Sequence, residues 1–141
     1  MAVLLIKHNK KREEKVVMDK NEKGKRAVVL EENNRTQKVM TALLTCCGYS
    51  VRVAESYNLL VAMLASNHFD LVLLDMQVPQ RNNLSLEQAV RLGGDSTFIV
   101  AMASLPVEEG KLFARQFGIR GYLRKPFRAN TFRDVITGVL S

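Results

Sequence analysis

The stretch Leu71-Val72-Leu73-Leu74-Asp75-Met76-Gln77-Val78-Pro79 decides the fold. It opens with four aliphatic residues in succession, the mark of a strand covered on both faces. The run stops on a carboxylate, and a proline follows four residues later. Four comparable runs lie around it: Ala27-Val28-Val29-Leu30, Ser50-Val51-Arg52-Val53, Phe98-Ile99-Val100-Ala101-Met102 and Gly121-Tyr122-Leu123. The first, third and fourth of the five read as central strands, whereas Arg52 marks the second as an edge.

Amphipathic stretches with recognisable ends separate these runs. The first helix starts at Asn33 or Asn34, carries Val39, Leu43 and Cys47 on one stripe and stops at Gly48. The second opens at Ser56 and buries Leu59, Leu60, Met63 and Leu64. Ser85 with Gln88 forms a capping box for the third. The fourth has Pro106 near its first turn, Glu108 and Glu109 at its positive end, and Gly118 as its stop. The fifth places Phe132, Val135, Ile136 and Val139 at helical spacing. Strands alternating with helices of this length imply right-handed crossovers. The expected fold is therefore α/β, an open doubly wound five-stranded parallel sheet with helices on both faces.

Composition narrows the function classes. The 141 residues are 47% hydrophobic and 25% charged, as in an ordinary globular domain. No apolar run approaches the roughly 18 residues that span a bilayer, so no membrane-spanning segment is expected and the location is expected to be cytoplasmic. Residues 1–26 hold nine Lys/Arg against four Asp/Glu, and the remaining 115 hold twelve against ten. The basic character thus belongs to a leader, residues 1–25, ahead of a domain spanning 26–141. Within that leader residues 2–6 read as an extra strand or the tail of an upstream domain. Acids alternate with its bases and aromatics are absent, which argues against a stacking platform, so no direct nucleic-acid contact is expected. Cys46 and Cys47 are adjacent and in no metal-ligand spacing; they read as buried thiols.

Ligands of open parallel sheets bind beyond the carboxyl ends of the strands. That rule gathers Glu31 and Glu32 from the first strand, Asp75 from the third, Ser104 from the fourth and Lys125 from the fifth. Three carboxylates in one cleft call for a cation, and an oxygen-only set with partial hydration suits Mg²⁺. A lysine and a hydroxyl beside them could pair with phosphoryl oxygens. The set suits phosphoryl transfer onto a carboxylate.

Two of these motifs resemble those of the receiver (response-regulator, CheY-like) family of two-component signalling. Leu73-Leu74-Asp75-Met76-Gln77-Val78-Pro79 is similar to its phosphoacceptor motif, and Gly121-Tyr122-Leu123-Arg124-Lys125-Pro126-Phe127 to its fifth-strand motif. The resemblance covers residues 27–141 and implies a flavodoxin-like strand order 2-1-3-4-5. It implies Asp75 as phosphoacceptor, Lys125 as the phosphate-pairing lysine, joined to Pro126 by a cis bond, and Tyr122 as the aromatic switch, which turns inward on activation. Glu31, Glu32 and Asp75 would hold Mg²⁺, and the domain would assist its own phosphoryl transfer. The implied partner is a histidine kinase or phosphotransfer protein, and the receiver of a hybrid sensor kinase is one setting the resemblance allows for the chain. A homodimer would use the face of the fourth helix, fifth strand and fifth helix, where Lys111, Arg115, Arg120, Arg124 and Arg128 also suit an acidic partner.

Three features depart from the family pattern. Glu31-Glu32 replaces paired aspartates, each one methylene longer. Ala103 stands twenty-two residues before Lys125, where the family has a switch Ser/Thr, with Ser104 one position later. Asn83 stands where a glycine is frequent. The acidic pair and Ala103 support an alternative, a degenerate pseudo-receiver acting as an unphosphorylated interaction module, whereas Asn83 still tolerates the left-handed backbone of the turn. A third possibility, nucleic-acid binding through the basic leader, would show steep salt dependence.

Overall fold

The computed structural model describes residues 4–6, 16–18, 24–79 and 84–138. Two short strands, β1 (Leu4–Ile6) and β2 (Val16–Met18), pair antiparallel. β1 meets the expectation of a strand within residues 2–6; β2 has no counterpart in the sequence reading. The main sheet follows, as β3 (Lys25–Leu30), β4 (Tyr49–Ala54), β5 (Leu71–Asp75), β6 (Phe98–Ala103) and β7 (Gly121–Arg124). The helices between and after them are α1 (Asn34–Cys46), α2 (Tyr57–Ser66), α3 (Leu84–Gly93), α4 (Val107–Arg115) and α5 (Ala129–Ile136).

All pairs in the main sheet are parallel, in the order β4-β3-β5-β6-β7. Counted from β3, that is the expected order 2-1-3-4-5. β5 is buried along its whole length, and β4, with Arg52 in it, lies at the edge. The two-residue period of a strand divides the core into two layers. Val28, Leu30, Val72, Leu74 and Ala101 join Leu60 and Met63 of α2, Leu86 of α3 and Ala114 of α4. Ala27, Val29, Leu71, Leu73, Val100 and Met102 join Met40 and Leu44 of α1 and Phe132, Val135 and Ile136 of α5. Carried one step further, the same phase points Glu31, Asp75 and Lys125 toward the α1–α5 side.

Helix starts follow side-chain capping. Asn33 accepts a hydrogen bond from Thr36 N at 2.9 Å, and Ser56 accepts one from Leu59 N at 3.2 Å. Asn33→Ala should cost about 1 kcal/mol, read as a lower urea midpoint with an unchanged slope. At the other end of α1, Gly48 takes φ of 93°, a backbone that side chains resist.

Several details differ from the sequence reading. The buried stripe of α1 is Met40 and Leu44, while Val39 is exposed. Successive residues turn by about 100°, so the two stripes are neighbours and the sheet selects one. Cys46 is exposed and Cys47 half-buried for the same reason. α3 starts at Leu84, which puts Ser85 inside the first turn and not at the cap. Asn83 and Val139 lie outside the described residues. Among the described residues, no helix is long and apolar enough to cross a membrane.

Candidate functional site

The carboxyl ends of β3, β5 and β7 bring three charged side chains together. Lys125 Nζ lies 3.0 Å from Asp75 Oδ2 and 3.2 Å from Glu31 Oε1. The side chains of Glu31 and Asp75 are only 4% and 6% exposed, and that of Lys125 is 22% exposed. The ammonium therefore stands between two buried carboxylates with one side open to water. Burial works against its charge. Hydrogen bonding and attraction from Asp75, then Glu31, outweigh burial and hold the lysine above its ordinary pKa.

Backbone contacts fix these groups. Asp75 Oδ1 accepts from Gln77 N at 3.0 Å, and Glu31 Oε2 accepts from Asn33 N at 3.2 Å. The Glu31 carbonyl accepts from Gln37 Nε2 at 2.6 Å, tying the end of β3 to α1. Lys125 N donates to the Ala103 carbonyl at 2.8 Å, and the Lys125–Pro126 bond is cis, as the fifth-strand motif implied.

Glu32 stands apart. It is exposed while its neighbour Glu31 is buried, because the strand phase that aims Glu31 at the lysine aims Glu32 away. Among the described residues, no three His, Cys, Asp or Glu side chains are grouped closely enough to hold a metal ion. The donor chemistry still fits a hard divalent cation: Glu31 and Asp75 offer buried anionic oxygens, and Glu32 is a third carboxylate on the adjoining loop.

Ser104 follows the last residue of β6 and is exposed. It lines a cleft of about 400 Å³ with Arg35, Thr36, Val39, Lys125, Pro126 and Phe127. The Ala103 methyl lies in the core layer on the other face of the sheet. The hydroxyl one position late in sequence is thus the one that borders the lysine.

Tyr122 is 3% exposed and turned inward. Its hydroxyl is 2.7 Å from the Leu105 carbonyl and 2.9 Å from the Ala103 carbonyl. One phenolic proton serves both acceptors. Burial raises the pKa of this phenol, with Arg124 and the Leu105 hydrogen bond acting the other way. Gly110 of α4 provides the seat, since a Cβ there would run into the Tyr122 ring. Gly110→Ala should push the ring out and lower stability by about 1–2 kcal/mol, overpacking outweighing the better helix propensity. In that background Tyr122→Phe should cost less than it does in the parent, because the two carbonyl contacts are already lost. Equal costs in the two backgrounds would contradict the seat.

Sequence reading missed Tyr57, Arg35 and Gln77. Tyr57 was legible from spacing, since 57, 60 and 64 form one buried stripe of α2. Arg35 and the Gln77 amide had no signal of their own; the first turn of α1 brings Arg35 to the cleft, and the turn after β5 brings the Gln77 amide to the carboxylate.

Comparisons with known proteins bear on the family and the fold. The model of the response regulator receiver domain family matches residues 27–137. The transcriptional regulatory protein DltR of Streptococcus agalactiae is 31% identical over 105 residues, covering 74% of this chain and 47% of DltR. The probable transcriptional regulator ycf27 of Cyanidium caldarium is 24% identical over 120 residues, covering 85% of this chain and 48% of that protein. The chain therefore spans about half the length of these curated relatives. Among solved structures, chemotaxis protein CheY4 of Vibrio cholerae superposes with a TM-score of 0.72 at 22% identity, covering 82% of this chain and 98% of that one. The receiver domain of sensor histidine kinase PA1611 from Pseudomonas aeruginosa, solved with magnesium in its active-site cleft, gives 0.69 at 22% identity, covering 84% and 98%. Fold, motifs and family match converge, and the chain belongs to the response regulator receiver domain family.

Proposed function

We propose that this chain accepts a phosphoryl group on Asp75 from a histidine kinase or a phosphotransfer protein, as one step of a phosphorelay. The observation that carries this reading is the Lys125 ammonium 3.0 Å from a buried Asp75 carboxylate at the carboxyl edge of the sheet. An Asp75 oxygen forms a bond to phosphorus while the donor's bond to phosphorus breaks and the donor keeps the electron pair. Lys125 offsets the charge added on the acceptor side, a task of positioning and neutralisation more than of covalent chemistry. Mg²⁺, held by Asp75 and Glu31, would supply further neutralisation; magnesium occupies the cleft of the PA1611 receiver. Ser104 is the hydroxyl assigned to the phosphoryl group, and Tyr122 the aromatic that reports to the α4 surface. That surface exposes Val107, Leu112 and Phe113 beside Arg115 and Arg124, which suits an acidic partner or a second copy of the chain.

The experiment is incubation with Mg²⁺ and acetyl phosphate, or with a phosphorylated donor protein, followed by measurement of phosphoryl incorporation. Uptake dependent on Mg²⁺ is expected. A second reading, an unphosphorylated docking module, draws on the two departures from the family pattern: the Ala103 methyl lies in the core where a switch hydroxyl would stand, and Glu32 of the acidic pair is exposed and turned away from Lys125. Persistent failure of uptake from both kinds of donor would favour it.

A further inference from the structure

The cleft that borders Lys125 holds a second cation, one that the proposed chemistry leaves unused. Arg35 lies in the first turn of α1, is exposed, and lines the cleft of about 400 Å³ together with Ser104 and Lys125. Unlike Lys125, it makes no ion pair with another described residue. The first turn of α1 carries no acidic residue, and a cation there sits at the positive end of the helix dipole, where it is disfavoured. Its own helix thus gives this guanidinium no favourable partner, and an anion bound in the cleft would.

The other walls of the cleft are apolar, formed by Val39, Pro126 and Phe127. A guanidinium beside such walls suits an organic anion with a short hydrocarbon body, and its planar fork matches a carboxylate. The place of the cleft narrows the choice further. Lys125 lines it and stands 3.0 Å from Asp75 Oδ2, so the cleft opens beside the acceptor. In phosphoryl transfer the attacking and leaving oxygens lie roughly in line, so the leaving group departs on the side away from the acceptor. Asp75 is nearly inaccessible, whereas Arg35 and Ser104 stand at the surface, and the leaving group has to emerge on their side.

We propose that this cleft binds the acyl end of an acyl phosphate, with Arg35 pairing the carboxylate that leaves. An Asp75 oxygen forms its bond to phosphorus while the bond between phosphorus and the acyl oxygen breaks. The electron pair of that bond departs with the acyl oxygen, and the resulting carboxylate meets the guanidinium. The hydrocarbon part lies against Val39, Pro126 and Phe127. This assignment deepens the reading of Asp75 given above and rests on it.

Two donors with different leaving groups test the proposal. Acetyl phosphate releases acetate, whereas phosphoramidate delivers the same phosphoryl group and releases neutral ammonia. With the whole chain and Mg²⁺, Arg35→Gln should slow phosphorylation by acetyl phosphate about ten-fold, the lower end of the worth of a hydrogen bond to a charged group. Its rate with phosphoramidate should fall no more than about two-fold, the effect of one charge at an exposed position. Arg35→Lys keeps the charge without the planar fork and should recover part of the acetyl phosphate rate. A merely structural Arg35 would slow both donors alike. Equal losses, or an undiminished rate with acetyl phosphate, would overturn the assignment of Arg35 and leave Asp75 as acceptor. A parent that takes up phosphoryl groups from a phosphorylated donor protein but not from acetyl phosphate would also overturn this assignment alone. No uptake from any donor would overturn the acceptor reading with it.

Discussion

Lys125→Met is expected to destabilise the protein by about 2–3 kcal/mol at neutral pH, toward the lower end of what removing one partner of a buried ion pair costs because the lysine keeps some solvent contact. The loss comes less from the missing attraction than from what stays behind. Glu31 and Asp75, both nearly inaccessible to water, would face each other without the ammonium that now separates them. Neutralising one should relieve the strain, so Lys125→Met with Asp75→Asn should be more stable than Lys125→Met alone. A urea-unfolding cycle over the two positions reads the coupling directly. Additive effects would show that the three groups do not act as a unit. Added Mg²⁺ should also raise the midpoint of Lys125→Met more than that of the parent, since a cation between Glu31 and Asp75 would replace the lost charge.

The same cluster sets a pH dependence. The folded-state pKa of Lys125 lies above its unfolded value, so its contribution is complete below the unfolded lysine value of about 10.4. It is lost as pH rises through the higher folded value. An alkaline loss of stability that is present in the parent and reduced in Lys125→Met follows from that sign.

Much of this site was legible in the sequence. Continuous aliphatic runs marked strands buried on both faces, and the rule that ligands sit beyond their carboxyl ends picked out Glu31, Asp75 and Lys125 before any coordinates. The strand order followed from the receiver motifs around Asp75 and Lys125. What failed did so where a choice between neighbouring residues depended on packing. Val39 and Met40 head equally regular stripes of α1, and only the sheet decides that Met40 is inside. Glu31 and Glu32 looked equivalent, yet the alternation that buries Val29 and aims Glu31 at Lys125 leaves Glu32 at the surface. Tyr122 could be placed at its position but not its rotamer, because the space for its ring is made by Gly110, twelve residues earlier. Tyr57 was overlooked although its spacing to Leu60 and Leu64 placed it on the buried stripe of α2.

The central claim is that Asp75 is the phosphoacceptor, and one substitution carries its largest expected effect. Asp75→Asn keeps the shape of the side chain and can still meet the Gln77 amide, but it lacks the anionic oxygen that would attack phosphorus. The variant should fold, and its loss of function should be near total. The direct measurement is intact mass after incubation with Mg²⁺ and acetyl phosphate. The account predicts a gain of one phosphoryl group in the parent and none in Asp75→Asn. No gain in the parent, even with a phosphorylated donor protein, or an undiminished gain in Asp75→Asn, would contradict it.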